Sequence, residues 1–455
     1  MKKSKPLLRI VVFSLLLALV VCGLQGFLSV DNRRAFANQR GFYQEKRNSL
    51  DAVFIGSSNV HNFWQPLYAW EDHGIAVWPF SVDTLPAKAM KYMILEARKT
   101  QPDALYIVNI NCFHSMTLET PVLHRTLDYL PYSLNRLNMT DMLLDEAEIK
   151  GLDRLEFYFP IIRSHSRWSE LQSWSFDGSG TRMKASVSYY RFFKNIEDVS
   201  DVYQPTEERS ALPEEQRSIV EDLLDFCEKE QIKVLFVSVP QPLGTELAAS
   251  DQTAREINAI ADLVQSRGFP CLHLLGKAEE LGIQTDTDYF DWGHTNIHGS
   301  AKFTEYLSQA LIDRYHFADK RGQSGWKSWD EAAQDYADLT APWCLPFERA
   351  HAARDYGLAA PKLSKLKIDG QTITLTWSES DGAERYEIFR KADNGESSPW
   401  QSLAVVDQAV LSYVDAGLEP ETAYTYTVVP CRDQGADTVY GCFSYSGVSG
   451  TTKGE

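Results

Sequence analysis

The sequence predicts an α/β domain with a parallel sheet, followed by a smaller all-β domain with a sandwich fold. Short apolar runs alternate with amphipathic helical patterns through most of the chain, which is typical of a parallel sheet covered by helices. In the last part of the chain the helical patterns stop and apolar residues alternate with a period of two. A basic and then apolar N-terminus precedes both domains.

The first segment, residues 1–30, predicts a membrane anchor or an uncleaved signal. Four basic residues among the first nine precede an apolar run over residues 10–30, and about 20 apolar residues are enough to span a bilayer. The basic side predicts a cytoplasmic N-terminus, a single membrane pass and an extracytoplasmic body at the cell membrane. A cleaved signal is the alternative, because Ala-Phe-Ala at residues 35–37 resembles a processing site.

Composition excludes several function classes. A length of 455 residues predicts two or three domains. The formal net charge of −17 argues against a nucleic-acid partner, because phosphate binding requires clustered Lys and Arg. The seven cysteines form no C-x-x-C pattern, and the histidines show no metal-ligand spacing. We therefore expect neither a metal nor a cofactor.

The α/β domain is predicted over residues 31–340. Its strands are predicted in four apolar runs, "DAVFIG" from Asp51, "IAVWPFSV" from Ile75, "ALYIVNI" from Ala104 and "IKVLFVSVP" from Ile232. Helical patterns begin between or after these runs, at Ala87, Glu214 and Thr253. Parallel sheets of this kind place their chemistry at the carboxyl ends of the strands.

An insert at about residues 115–205 interrupts the alternation and is rich in Tyr, Trp, Ser and Arg. A long insert that follows a strand end is a candidate for a cap that shapes a substrate site. The alternative is a packed helical decoration that binds no ligand. Within the insert, His165 and Arg167 are possible substrate contacts to a carboxylate or a sugar, with a structural role as the alternative.

The stretch "VFIGSSNV" over residues 53–60 raises the question of a nucleophile. A serine at the tip of a buried strand, on a turn into a helix, exposes its hydroxyl at the sheet edge, and the first N–H groups of the helix point toward an oxyanion formed there. To act as a nucleophile it needs a base, usually a histidine that a carboxylate orients. Alone, Gly-Ser-Ser after a strand is more often a plain turn.

The partners are found in "DWGHTNIHG", where Asp291 and His294 stand three residues apart before an amphipathic helix. One short loop can thus supply both the base and its orienting carboxylate. Together with "FIGSS", the pattern D-x-x-H-x-N-x-x-G resembles the SGNH (GDSL-like) hydrolases over about residues 50–315. It most resembles their membrane-anchored bacterial relatives, which act in O-acylation of cell-surface polymers such as alginate and teichoic acids.

This resemblance implies a three-layer SGNH-type domain and a role for each matching residue. Ser58 matches the nucleophile, His294 the base and Asp291 its orienting carboxylate. Ser57 stands where the family has an aspartate.

The resemblance also implies an oxyanion hole built from the N–H groups of Ser58 and Ser81 and the side-chain amide of Asn111. Here the chain departs from the family twice. Ser81 stands where the family has a glycine, and Asn109 replaces the glycine of the G-x-N block.

Residues 361–455, after a linker at 341–360, resemble a fibronectin type III domain. The resemblance places Trp377 on the second strand and Tyr386 on the third, and it implies that Tyr424 in "LEPETAY" forms the tyrosine corner. Cys431 and Cys442 flank a hairpin-like stretch in an exported domain, which leaves a disulfide between them open.

We expect from these observations an extracytoplasmic serine esterase or O-acyltransferase that acts on acyl esters, with acetyl as the expected group, of cell-surface polysaccharide or wall polymer. The expected partners are that carbohydrate or acylated polymer, the membrane through the N-terminal helix, and a membrane acyltransferase. The alternative is a non-catalytic SGNH-like surface module that binds glycan or supports such an acyltransferase. A lipase or thioesterase is a third possibility.

Overall fold

The computed structural model describes twelve stretches of the chain, and all structural statements below concern them. They are residues 4–28, 33–114, 116–169, 183–187, 189–190, 206–241, 250–291, 293–340, 345–352, 357–392, 400–444 and 446–454. The chain divides into two compact units, one formed by Met1–Ser188 and Glu197–Ala333, the other by Tyr189–Ile196 and Gln334–Glu455.

The first unit is an α/β domain, as the alternation of apolar runs and helical patterns predicts. Its described strands are β1 (Ala52–Gly56), β2 (Val77–Ser81), β3 (Leu105–Asn109), β4 (Val234–Ser238), β5 (Cys271–His273), β6 (Tyr289–Asp291) and β7 (His294–Thr295). Its described helices are α1 (Ser4–Leu28), α2 (Arg33–Phe42), α3 (Ser58–Phe63), α4 (Pro66–His73), α5 (Met90–Arg98), α6 (Thr120–Leu127), α7 (Leu134–Glu146), α8 (Leu155–Tyr158), α9 (Ile161–Ser164), α10 (Glu214–Lys229), α11 (Ser250–Ser266), α12 (Thr285–Asp288) and α13 (Ile297–Tyr315). Helix α14 (Lys327–Thr340) begins in this unit, and 3₁₀ turns lie at Ala87–Ala89, Ile110–His114, Gly151–Arg154, His165–Ser169 and Ser324–Trp326.

Strands β1 to β5 form one sheet in the order β2-β1-β3-β4-β5, and every pair in it is parallel. All residues of β1 to β4 are buried, so their continuous apolar sequences match a sheet covered on both faces. The order reverses between β1 and β3, and crevices for ligands form at such reversal points outside the carboxyl ends of the strands. The turns after β1, β3 and β4 therefore lie side by side at the carboxyl ends of the strands.

The close approach of β1 and β3 at this edge requires a glycine. A Cβ on Gly56 would lie 2.6 Å from Asn109 Cβ and 2.8 Å from Val60 Cγ2. Asn109 itself is fully buried, and its amide donates to Asn111 Oδ1 at 3.2 Å. The asparagine that replaces the family's glycine thus packs on Gly56 and holds the next asparagine of the motif.

We expect Gly56→Ala to lower the free energy of unfolding by about 1–3 kcal/mol, because the added methyl group overpacks a buried contact. Chemical denaturation of the variant measures this loss. Gly325→Ala is the matched control, since the nearest atom to its added Cβ would be Lys46 Nζ at 3.9 Å. Equal losses in the two variants would contradict the packing argument.

The N-terminal segment predicted as an anchor is described as α1, and its exposed apolar side chains include Ile10, Phe13, Leu16 and Leu19. Within the described stretches, no helix is both long enough and apolar enough to cross a membrane. The predicted insert at 115–205 contains α6 to α9, and its residues 115, 170–182, 188 and 191–205 lie outside the described residues. Its role as a substrate cap stays a prediction.

The second unit contains two antiparallel sheets, as the period of two in its sequence predicts. One has the order β11-β10-β13-β14 with β15 also paired to β13, and the other the order β12-β9-β8. The strands are β8 (Lys367–Asp369), β9 (Thr372–Thr376), β10 (Arg385–Ala392), β11 (Gln401–Asp407), β12 (Ser412–Asp415), β13 (Ala423–Gln434), β14 (Asp437–Tyr440) and β15 (Val448–Thr451). Helix α15 (Leu345–Ala352) lies in the stretch predicted as a linker, of which residues 341–344 and 353–356 are outside the described residues.

The aromatic residues of the second unit form its core. Trp377 follows β9 directly rather than lying within it, and its ring lies 5.8 Å from that of Tyr386 on β10. The hydroxyl of Tyr424 accepts a hydrogen bond from the Glu419 N–H at 3.2 Å, so it contacts upstream backbone as a tyrosine corner does. Cys431 is a free thiol, so the bond to Cys442 that the sequence leaves open is not formed in the structure.

Candidate active site

The two serines after β1 differ in what their hydroxyl groups contact. Ser57 is the extended residue before helix α3, and its buried hydroxyl donates to Asn59 Oδ1 at 3.1 Å. Ser58 is the first residue of α3 and is half-buried. Its Oγ lies 2.8 Å from His294 Nε2. The strand-to-helix turn therefore presents the second serine, and not the first, to a histidine.

His294 and Asp291 face each other across a two-stranded hairpin formed by β6 and β7. His294 Nδ1 lies 2.9 Å from Asp291 Oδ1 and 3.0 Å from Oδ2. The Gly293 N–H also donates to Asp291 Oδ1 at 2.8 Å, which fixes the carboxylate. With Nδ1 bonded to a carboxylate, the neutral imidazole carries its proton there and leaves Nε2 free to accept the Ser58 proton.

The remaining residues of the D-x-x-H-x-N-x-x-G pattern support the hairpin. Asn296 caps helix α13, because its Oδ1 accepts from the N–H groups of His298 at 3.1 Å and Gly299 at 3.3 Å. A Cβ on Gly299 would lie 2.3 Å from the carbonyl oxygen of Asp288. The asparagine and the glycine thus anchor the hairpin to the start of α13, directly behind the base.

The described residues contain two further serine–histidine pairs at strand ends. Their serines are buried, whereas Ser58 is partly exposed. Ser81 Oγ lies 2.9 Å from His61 Nδ1, with Asp83 Oδ1 3.3 Å from the other ring nitrogen, and both Ser81 and His61 are 2% exposed. The second pair, at the ends of β4 and β5, is Ser238 with His273. Its serine is fully buried and accepts backbone N–H bonds from Leu274 at 2.7 Å and Leu275 at 3.1 Å.

These two pairs are structural. A nucleophile must reach a substrate carbon, and neither buried hydroxyl can do so without disrupting its contacts. Each of the three serines contacts a histidine, but of the three only Ser58 is partly exposed.

The burial of His273, in the pair with Ser238, makes the stability of the fold depend on pH. Burial lowers the pKa of His273 below its usual range, and the nearby Arg209 lowers it further. The unfolded chain takes up a proton at the ordinary histidine pKa of about 6.5. Between this value and the lower folded pKa, the unfolded state binds more protons, so the free energy of unfolding decreases as the pH falls.

We therefore expect His273→Gln to reduce the loss of stability on acidification below a pH of about 6.5. Urea unfolding at a series of pH values measures it. His165→Gln, at an exposed histidine, is the control and should keep the wild-type pH dependence. A pH dependence in His273→Gln that equals that of the wild-type chain would contradict the assignment.

The backbone N–H of Ser81, predicted as an oxyanion-hole donor, has another hydrogen-bond partner in the structure. Its backbone N–H donates to Asn38 Oδ1 at 3.1 Å, and its hydroxyl accepts from Asn38 Nδ2 at 2.9 Å. The donor that the family takes from this position is therefore occupied by a side chain of α2. Sequence reasoning missed Asn38, because it lies in a polar helix with no motif.

Asn111 lies where the resemblance predicts, in the 3₁₀ turn after β3, and is 1% exposed. Its Oδ1 accepts from the Val239 N–H at 2.9 Å and from Asn109 at 3.2 Å. Its Nδ2 donates to the carbonyl of Val239 at 3.4 Å and to Gln241 Oε1 at 3.3 Å. Both lengths are at the long end for hydrogen bonds, so these donors are weakly engaged.

Gln241 is a site residue that sequence reasoning missed. It follows β4 by three positions and contacts both Asn59 and Asn111 through its side-chain oxygen. The signal that could have found it is the rule already applied to β1 and β3, that polar residues directly after a parallel strand meet at the same sheet edge. Its neighbours over residues 242–249 lie outside the described residues.

His165 and Arg167 lie away from these contacts on the 3₁₀ turn His165–Ser169. His165 Nδ1 lies 2.7 Å from the carbonyl oxygen of Ile162, and Arg167 donates to the carbonyl of Leu28 at 3.1 Å. Their role as substrate contacts stays a prediction. The described residues also contain no cluster of three or more His, Cys, Asp or Glu side chains that could hold a metal ion.

Comparisons with known proteins assign no family. A scan against family models finds no match, and a search of curated proteins finds none. Similar solved structures include the β-1,2-glucanase from Parabacteroides distasonis, with 25% identity, a TM-score of 0.18, and coverage of 22% of this chain and 13% of that one. They also include fibronectin type III domains. The fibronectin domain of human collagen XX has 23% identity and a TM-score of 0.17, and the match covers 22% of this chain and 95% of that one. The FN5 domain of Drosophila Lar has 19% identity and a TM-score of 0.18, and the match covers 22% of this chain and 99% of that one.

Proposed function

We propose that the first unit is an SGNH-type serine hydrolase or O-acyltransferase that acts on ester bonds. The observation that carries the proposal is the continuous hydrogen-bonded chain from Ser58 Oγ through His294 to Asp291, with lengths of 2.8 and 2.9 Å. These are the distances at which a base removes a proton from a nucleophile. The partial exposure of Ser58, at the edge where ligands bind parallel sheets, supports the same conclusion.

The mechanism begins with acylation of Ser58. His294 Nε2 removes the hydroxyl proton while Ser58 Oγ forms a bond to the carbonyl carbon of the ester, and the carbonyl electron pair moves to its oxygen. Asp291 stabilises the imidazolium that results. The tetrahedral intermediate collapses when the bond to the alcohol oxygen breaks, and His294 returns the proton to that leaving oxygen.

Deacylation repeats these steps with a second hydroxyl compound. Water or a sugar hydroxyl attacks the acyl carbon and gives its proton to His294, and Ser58 Oγ leaves and recovers a proton. Water yields a free acid, whereas a sugar yields a new ester. We assign the acyl group as acetyl and the acceptor as cell-surface polysaccharide or wall polymer. This assignment rests on the resemblance of the motifs and on the aromatic composition of the insert.

The same proposal places the body of the chain outside the cytoplasm, with the N-terminal helix at the membrane and an acyltransferase as a membrane partner. It makes the second unit a fibronectin type III spacer. The basis is the basic and apolar N-terminal sequence and the antiparallel sheets with the Tyr424 corner.

One observation favours the alternative, a non-catalytic module that binds glycan or supports an acyltransferase. The N–H of Ser81 and the amide of Asn111 are both engaged with other side chains. A hydrolase requires donors aimed at the position of the oxyanion, and removal of one such donor typically costs about 10²–10³ in rate.

A fluorophosphonate probe on the purified full chain in detergent separates these functions. We expect covalent labelling at Ser58, identified by peptide mass spectrometry, because the probe requires an activated serine. Glycan binding in a chain that shows no labelling would favour the module. A series of p-nitrophenyl esters of increasing chain length tests the lipase or thioesterase possibility, which predicts a preference for long acyl groups.

A further inference from the structure

Two side-chain amides converge on one oxygen atom beside the candidate nucleophile. Asn59 Nδ2 donates to Gln241 Oε1 at 3.1 Å, and Asn111 Nδ2 donates to the same oxygen at 3.3 Å. Two neutral N–H donors aimed at a single oxygen is the arrangement that stabilises the oxyanion of a tetrahedral intermediate. In the structure a glutamine carbonyl takes that place.

The direction of both donors is set by their other hydrogen bonds. Asn59 Oδ1 accepts the hydroxyl proton of Ser57, and Asn111 Oδ1 accepts the Val239 N–H. Because each amide oxygen is held as an acceptor, each NH₂ group is turned toward the glutamine. The two asparagines are 7% and 1% exposed, so surrounding atoms keep them in this orientation.

The oxygen that they hold lies between the elements that carry the triad. Asn59 is adjacent to Ser58 on α3, and a Cβ on Gly293 would lie 3.3 Å from Gln241 Nε2. Gln241 therefore contacts the helix of the nucleophile on one side and the turn of the base on the other.

We infer that Asn59 and Asn111 form the side-chain part of the oxyanion hole, and that the Gln241 carbonyl oxygen occupies this hole until a substrate displaces it. Asn59 replaces the donor that Ser81 cannot give. This inference rests on the proposed function and adds a catalytic residue to it. Both donors strengthen their bonds when the carbonyl oxygen of a substrate acquires negative charge, whereas the glutamine oxygen remains neutral.

The first variant that tests the inference is Asn59→Ala, assayed with p-nitrophenyl acetate. We expect kcat to fall by about 10²-fold with KM within a few-fold, because the lost donor acts in the transition state. Asn135→Ala is the matched control, since this partly buried asparagine bonds Tyr92 and Glu96 elsewhere in the unit. Thermal unfolding verifies that both variants fold.

The second pair of variants concerns Gln241. Gln241→Ala removes the oxygen that competes with the substrate. We expect this variant to raise kcat/KM by about 3–10-fold, the range for one net hydrogen bond. Gln241→Glu places a carboxylate between the same donors, and we expect at least a tenfold decrease, because charged acceptors bind amide N–H groups about twice as strongly. A merely supporting glutamine would lose activity in both variants, which overturns its role as occupant of the hole.

The outcomes distinguish this inference from the proposed function. If the unmodified chain neither hydrolyses the ester nor labels at Ser58, both are overturned. If the unmodified chain is active and Asn59→Ala keeps the activity of Asn135→Ala, only the inference is overturned.

Discussion

We expect Ser58→Ala to lower kcat/KM for p-nitrophenyl acetate by at least about 10³-fold, because under the proposed function Ser58 forms the acyl-enzyme. The hydroxyl lies 2.8 Å from His294 Nε2, so the substitution removes the nucleophile and leaves the base in place. The remaining rate measures what the base and the polar surroundings achieve with water alone. Steady-state hydrolysis measures the loss of activity, and fluorophosphonate labelling of the same preparation measures the loss of the reactive serine.

The neighbouring serine provides the matched control. Ser57 Oγ contacts Asn59 rather than the histidine, so Ser57→Ala should stay within about tenfold of the wild-type rate, the effect of one hydrogen bond. If Ser57→Ala abolished hydrolysis while Ser58→Ala retained it, the nucleophile would be the first serine and the proposed geometry would be wrong.

Asp291→Asn is expected to lower kcat by about 10³–10⁴-fold with little change in KM. The carboxylate accepts a hydrogen bond from the Nδ1–H of His294 at 2.9 Å. An asparagine of the same shape can present its NH₂ group to that nitrogen and favour the tautomer that carries the proton on Nε2. In that tautomer the base cannot accept a proton from Ser58. The ratio of the two kinetic constants separates this effect from lost binding.

A second histidine–carboxylate contact on the same unit supplies the control. His73 Nε2 lies 2.7 Å from Glu305 Oε2, away from the strand ends that carry the site. Glu305→Gln makes the same chemical change and should leave kcat within a few-fold of wild type. A rate in Asp291→Asn equal to that of Glu305→Gln would show that the aspartate does not orient the base.

Much of the first unit could be predicted from local sequence. The four apolar runs contain β1 to β4, because strands buried on both faces must be apolar throughout. Strand β5 was not predicted, since it has three residues and each is partly exposed. The order of the strands was also beyond local sequence, because pairing depends on where each crossover returns.

The contacts among Ser58, His294 and Asp291 could be predicted because these residues stand in short sequence motifs. The contacts of Ser81, Asn59 and Gln241 could not be derived in the same way. Whether the N–H of Ser81 is available depends on Asn38, 43 positions away in another element. Likewise, Asn59 and Gln241 are 182 positions apart, and neither carries a recognisable pattern. Contacts of this kind exist only after the sheet brings strand ends together.

The hydrogen bond between Ser58 and His294 joins residues 236 positions apart. Other bonds join the same two parts of the chain, among them those from Thr295 Oγ1 to the carbonyl of Asn62 at 2.6 Å and from the Gln65 N–H to Thr304 at 2.9 Å. At synthesis rates of about 5–20 residues per second, His294 is made about 10–50 s after Ser58. Under the proposed function, a growing or truncated chain would therefore carry a serine without its base, and hydrolysis would begin only when almost the whole first unit has been made. Esterase activity would thus report, in a single measurement, that this unit has completed its folding.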